Sequence, residues 1–144
     1  MLAFRTPPRG LPVGHFPKGY CMNENPFAAC IEACNDCAVA CDECASGCLH
    51  EQDVKAMARC LALDVDCSQM CRLAAGAMAR GSEVANLVCN ACADICDMCA
   101  AECGKHPMQH CQDCANACRR CAAECRRMSG MAAGGSAGMG ATAH

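Results

Sequence analysis

The 144-residue sequence has no tryptophan, one tyrosine and three phenylalanines. Leucine, isoleucine, valine and phenylalanine together number only 18 residues. So little large apolar side chain ordinarily marks a chain that cannot build a core. There is no basic stripe, and the net charge is −3. Without clustered cations and stacking aromatics, a nucleic-acid partner is not expected. No run approaches the ~20 apolar residues of a membrane-spanning helix, so no membrane partner is expected either. The first 21 residues, MLAFRTPPRGLPVGHFPKGYC, hold no apolar run of export-signal length and no twin arginine. The expected location is therefore the cytoplasm, where thiols stay reduced.

What the chain has instead is cysteine, 20 residues of it. Cys30, Cys34, Cys37, Cys41, Cys44 and Cys48 follow one another at steps of 4, 3, 4, 3 and 4. Cys89, Cys92, Cys96, Cys99 and Cys103 keep the same rule, as do Cys111, Cys114, Cys118, Cys121 and Cys125. A sparser ladder holds Cys60, Cys67 and Cys71, with Met57, Asp64, Ala74 and Met78 at its other rungs. An α-helix turns once per about 3.6 residues, so these steps keep each ladder on one stripe. A strand would scatter them over two faces. Free cysteine packs as a small hydrophobe, so four thiol stripes can replace the missing aliphatic core.

The expected fold is all-α, an antiparallel up-down-up-down four-helix bundle with a cysteine-lined core. Asn25-Pro26 opens the first helix, which continues to about Leu49. The second runs from near Asp53 to before Gly81. Ser82 caps the third, and Gly104 stops it. The fourth starts at Pro107 and ends near Met128, with Arg126 and Arg127 at its negative end. Short links near 50–53, 80–82 and 104–106 make sequential helices antiparallel neighbours. The expected division is a Pro/Gly-rich arm at 1–25, a bundle at 26–128 and a flexible Gly/Ala/Met tail at 129–144.

Facing stripes bring nineteen cysteines into one interior and leave only Cys21 outside the helices. Thiolates select soft Cu(I). Each Cu⁺ replaces one thiol proton, so a long buried column can fill without gathering charge. Four Cys₄ zinc sites would instead bury about −8, with no inward cation to balance it. Iron–sulfur clusters expect cysteines on loops, with a proline after the last. Disulfide scaffolds are small, loop-rich and secreted. An iron–sulfur or disulfide redox protein remains the alternative to a copper store, and cysteine as mere apolar filling is the bland one. No nucleophile–base–orienter set marks an enzyme.

At residues 26–128 these CxxC and CxxxC ladders on four helices resemble the copper storage proteins, four-helix bundles lined with cysteine. The resemblance implies high-capacity Cu(I) storage in each monomer, for copper homeostasis or detoxification. It also implies a bundle largely formed before metal arrives, a homotetramer, and the cytosolic branch of the family. Its partners would be copper ions and a copper donor or acceptor protein or small thiol. The nineteen ladder cysteines are the expected ligands.

One end of such a bundle gathers His50, Met57, His106, Met108 and His110. It is the expected copper entrance, with exposed turn residues as the plainer reading of His50 and His106. Asp64, on the inward seam, is a hydrogen-bond acceptor, a protonated acid or a copper ligand; otherwise it turns towards an interface. Met78 and Met128 read as gap fillers at the opposite end.

Overall fold

The computed structural model describes the backbone of residues 25–140 and the side chains of residues 25–130. The expected arm before Asn25, with Cys21, and the side chains of Met131, Met139 and His144 lie outside the described residues. Four helices follow in order: α1 (Ala28–Leu49), α2 (Ala58–Ala79), α3 (Ala85–Cys103) and α4 (Gln109–Gly140). α1 packs on α2 and α4, and α3 packs on the same two, giving the square of an antiparallel bundle. None of these helices is long and apolar enough to cross a membrane.

The caps follow local chemistry. Asn25 Oδ1 accepts the Phe27 N–H at 2.9 Å and fixes the turn before α1. Asp53 Oδ1 accepts the Ala56 N–H at 3.1 Å. That starts a short 3₁₀ turn, Lys55–Met57, which feeds α2. Ser82 Oγ accepts the Val84 N–H at 3.3 Å ahead of α3. α2 ends in a Schellman motif: Ser82 N–H reaches Ala77 O at 2.9 Å and Gly81 N–H reaches Met78 O at 3.1 Å. This closure needs the left-handed backbone at Gly81, φ 62°.

α4 differs from expectation. It passes Met128 and stays helical to Gly140, where a flexible tail was expected from residue 129. Extending an existing helix needs no new nucleus, and Met131, Ala132, Ala133 and Ala137 are good helix formers. Arg126 and Arg127 therefore lie within the helix. Arg126 reaches Asp94 and Asp97 of α3, and Arg127 pairs with Glu124. Further surface pairs tie Arg72 to Asp42 and Arg120 to Asp36. Exposed pairs of this kind set helix register more than they add stability.

The core inverts the usual partition. Its interior is cysteine and alanine, with Met57 buried towards one end and Met78 and Met128 towards the other. Small residues let the four backbones approach closely around the sulfurs. Leu61 packs against this core, whereas Val65 and Leu73 face outward. Leu73 instead lines an outer groove with Leu63, Met70, Ile95 and Met98.

Candidate metal centre

All nineteen ladder cysteines are buried and free. The register that brings them inward is the 3/4 stepping itself, carried by unbroken helix through each ladder. Sulfurs from different helices meet at 3.3–4.0 Å, with Cys60–Cys103 the shortest at 3.3 Å. A disulfide bond is about 2.05 Å long. The described thiols are therefore neighbours rather than cross-links, and the disulfide reading fails for them.

The sulfurs fall into sets of four along the bundle axis, and from Cys41 onwards neighbouring sets overlap. Cys44, Cys48, Cys60 and Cys111 form a set at one end. Cys41, Cys99, Cys114 and Cys118 follow, then Cys37, Cys41, Cys67 and Cys118. Cys37, Cys71, Cys96 and Cys121 continue the column, and Cys34, Cys92, Cys121 and Cys125 come next. Cys30 and Cys89 belong to the far end, where Cys30 Sγ lies 3.6 Å from Cys125 Sγ. Within each set every sulfur lies within 4.8 Å of the others. Metal–sulfur bonds near 2.3 Å span separations up to about 4.6 Å. Cys37, Cys41, Cys118 and Cys121 each belong to at least two sets. Shared sulfurs suit bridging thiolates in multinuclear clusters, not isolated Cys₄ sites.

Asp64 stands inside this column, fully buried. Its Oδ1 receives the thiols of Cys99, Cys103 and Cys114 at 3.2, 3.2 and 3.3 Å. Cys60 Sγ is 3.7 Å from its Oδ2. The interface alternative for Asp64 is thus excluded. Burial, reinforced by nearby Cys114, pushes its carboxyl up to about 9. Burial likewise raises the thiols of Cys48 and Cys60, and takes Cys111 to about 11. Deeper in the column, hydrogen bonds between thiols pull in both directions, raising Cys34, Cys41, Cys96 and Cys125 and lowering Cys30, Cys37, Cys67, Cys92, Cys99, Cys114 and Cys121, while burial opposes ionisation at each of them.

The end beside Cys44 and Cys111 gathers the expected entrance residues. Met57 is buried beneath it, and Met108 packs half-buried against the core. His110 Nδ1 lies 3.5 Å from Cys44 Sγ and 3.4 Å from Cys111 Sγ. His106 is half-buried, with Nε2 3.4 Å from Glu102 Oε1. His50 takes its plainer reading: it is exposed, and Nδ1–H donates to the Ser46 carbonyl at 2.8 Å. Sequence reasoning missed the acids beside these histidines. Glu102 was legible as the i−4 partner of His106. Glu51, 59 residues from His110, carried no local signal.

The family described as copper storage protein matches residues 23–130 of this chain. A cysteine-rich Bacillus subtilis protein, YhjQ, is 48% identical over 83 residues, 58% of this chain and 77% of its own length. The Cu(I)-bound copper storage protein BsCsp3 of Bacillus subtilis is 47% identical. That match covers 72% of this chain and 97% of BsCsp3, with a TM-score of 0.69. The cytosolic copper storage protein of Streptomyces lividans, in a form with five coppers, is 37% identical. It covers 72% of this chain and 92% of its own, with a TM-score of 0.70. Its form loaded with 10 copper equivalents has a TM-score of 0.72 at 33% identity, covering 79% and 93%. The shared helical fold, the buried thiol column and a match running through all four ladders converge, and the chain belongs to the copper storage protein family.

Proposed function

We propose that this chain stores many Cu(I) ions in one continuous thiolate column, as cargo rather than as a reaction centre. The observation that supports this most is the sharing of Cys37, Cys41, Cys118 and Cys121 between adjacent sets of four. Bridging sulfurs let the number of coppers approach the number of thiols, and the column stays near neutral as it fills. The ligands are the nineteen cysteines from Cys30 to Cys125, with Asp64 supplying an oxygen where a cysteine would otherwise stand. Soft thiolates select Cu(I) over harder ions. We assign no catalytic step to the protein.

Copper enters at the Cys44–Cys111 end, where His106, Met108 and His110 offer nitrogen and thioether ligands before the thiols. The far end is closed by Met78 and Met128. The location we infer is the cytoplasm, in line with the cytosolic Streptomyces relative, and the assembly a homotetramer. Its exchange partners are a copper-carrying protein or a small thiol, and its role is copper homeostasis or detoxification.

Proton counting tests the central exchange. Burying many like charges in one column is too costly, so loading at pH 7 should release about one proton per Cu(I) bound. The release is read by a pH indicator in weak buffer under anaerobic conditions. Release far below one proton per copper would mean that metal binds outside the thiol column.

A further inference from the structure

His110 is held from three sides by residues of α1, the turn that follows it and its own neighbour Cys111. Its Nε2 lies 2.9 Å from Glu51 Oε1. Its Nδ1 faces two sulfurs, Cys44 at 3.5 Å and Cys111 at 3.4 Å. The third side is Gly47. A Cβ at that position would sit 2.7 Å from His110 Cγ, 2.8 Å from Cδ2 and 2.9 Å from Nδ1. No side chain fits there while the ring keeps its place. The pair stays reachable from solvent, with side-chain exposures of 24% for His110 and 32% for Glu51.

A carboxylate only accepts hydrogen bonds, so Glu51 fixes the proton of a neutral His110 on Nε2. The Nδ1 lone pair is then left pointing at Cys44 and Cys111. Carboxylate–imidazole pairs of this kind orient metal-ligating histidines and raise their basicity. The second histidine at this end lacks the arrangement. Glu102, the partner of His106, is also engaged by Arg59 and Lys105. Among the described residues, His106 makes no hydrogen bond to a thiol.

We propose that Glu51 is the positioning residue of the copper entrance: with Gly47 as the cut-out for the ring, it holds His110 Nδ1 as the atom that first takes Cu(I). This rests on the reading that copper enters at this end. An incoming Cu(I) forms a dative bond to Nδ1 and leaves its small-thiol or chelate donor. It then bonds to the sulfurs of Cys44 and Cys111 as their thiol protons pass to water. Copper remains Cu(I) throughout, so no oxidant or reductant takes part. Those two sulfurs, with Cys48 and Cys60, form the outermost set of four at this end, and copper passes from there into the column.

The test compares wild type with E51A, E51Q, G47A, H110A and the E51A/H110A double variant. Stopped-flow transfer of Cu(I) from a chromophoric chelate gives the uptake rate, and the end point gives capacity. Nitrogen-15 NMR of the metal-free protein reports the His110 tautomer. The Nε2–H form is expected in wild type and a tautomer mixture in E51A. Uptake by E51A should slow about tenfold, the usual scale for such an orienting partner. E51Q should recover part of the rate, because its amide oxygen still accepts from Nε2–H. G47A should slow uptake with Glu51 intact. The double variant should be no slower than H110A, and capacity should be unchanged in E51A, E51Q and G47A. If H110A slows uptake while E51A keeps both the wild-type rate and a pure Nε2–H tautomer, Glu51 has no positioning role. If H110A itself loads at the wild-type rate, the entrance reading falls, and the receiving role falls with it.

Discussion

Filling the column with Cu(I) is expected to raise the unfolding temperature by more than about 20 °C. The metal-free core is thin, with nineteen thiols and a set of alanines where aliphatic side chains would normally pack. Any ion bound by the folded chain and not by the unfolded one adds its binding free energy to stability. At a thousand times its dissociation constant, each contributes about 4 kcal/mol, so five ions contribute about 20 kcal/mol. A domain of this size shifts by roughly 2–8 °C for each kcal/mol. Thiols of the unfolded chain also hold Cu(I), which cancels part of this gain. What survives is the advantage of having the sulfurs already assembled 3.3–4.0 Å apart. Anaerobic thermal melts followed by circular dichroism, with and without copper, measure it. Loaded and metal-free proteins melting within about 5 °C of each other would mean that the column is not where the copper resides.

Asn in place of Asp64 should make the metal-free protein more stable at pH 7 and remove a fall in stability that wild type shows as pH rises. Folding lifts the Asp64 carboxyl from 3.8 to about 9. Between those values the folded chain keeps a proton that the unfolded chain has released. Stability therefore falls as pH rises through this window, by about 1.4 kcal/mol per pH unit. At pH 7 the accumulated cost is on the order of 4 kcal/mol. D64N keeps an oxygen for the thiols of Cys99, Cys103 and Cys114 and cannot ionise. Its amide N–H groups need acceptors among sulfurs, which returns part of the gain, so a net increase of about 2–4 kcal/mol is expected. Urea unfolding under reducing conditions at pH 5, 6, 7 and 8 checks this. The difference between D64N and wild type should widen steadily with pH, while other titrating groups cancel. A difference that stays constant across the range would show that Asp64 is already ionised in the fold.

Much of this architecture is legible in the sequence because thiol positions and helix period coincide. The 4-3-4-3-4 steps from Cys30 to Cys48 specify a stripe, and α1 places all six sulfurs inside. The same register puts Asp64 inward between Cys60 and Cys67, where it meets four thiols. Asn25, Asp53 and Ser82 announce the starts of three helices by side-chain chemistry that acts within three residues. Signals that depend on the fold were not legible. Glu51 and His110 are 59 residues apart and meet only when α1 and α4 pack side by side. Gly47 reads as an indifferent helix residue until the His110 ring is seen against it. The extent of α4 to Gly140 is not legible, because glycines at 134, 135, 138 and 140 read as a tail. Their helix penalty, about 1 kcal/mol each, was set against neither the alanines between them nor the preformed helix before them. Leu73 and Val65 stay on the outside, because a thiol core leaves no interior volume that requires them.

Cargo capacity tests the account most directly. Fully reduced protein is titrated anaerobically with Cu(I) against a competing chromophoric chelator, with zinc as the control ion. A column of nineteen sulfurs with shared members should take well over ten Cu(I) per chain before the chelator begins to compete, and zinc should fill only a small fraction of that number. Saturation at one or two coppers would contradict storage along the column and leave the ladders as structural or redox elements.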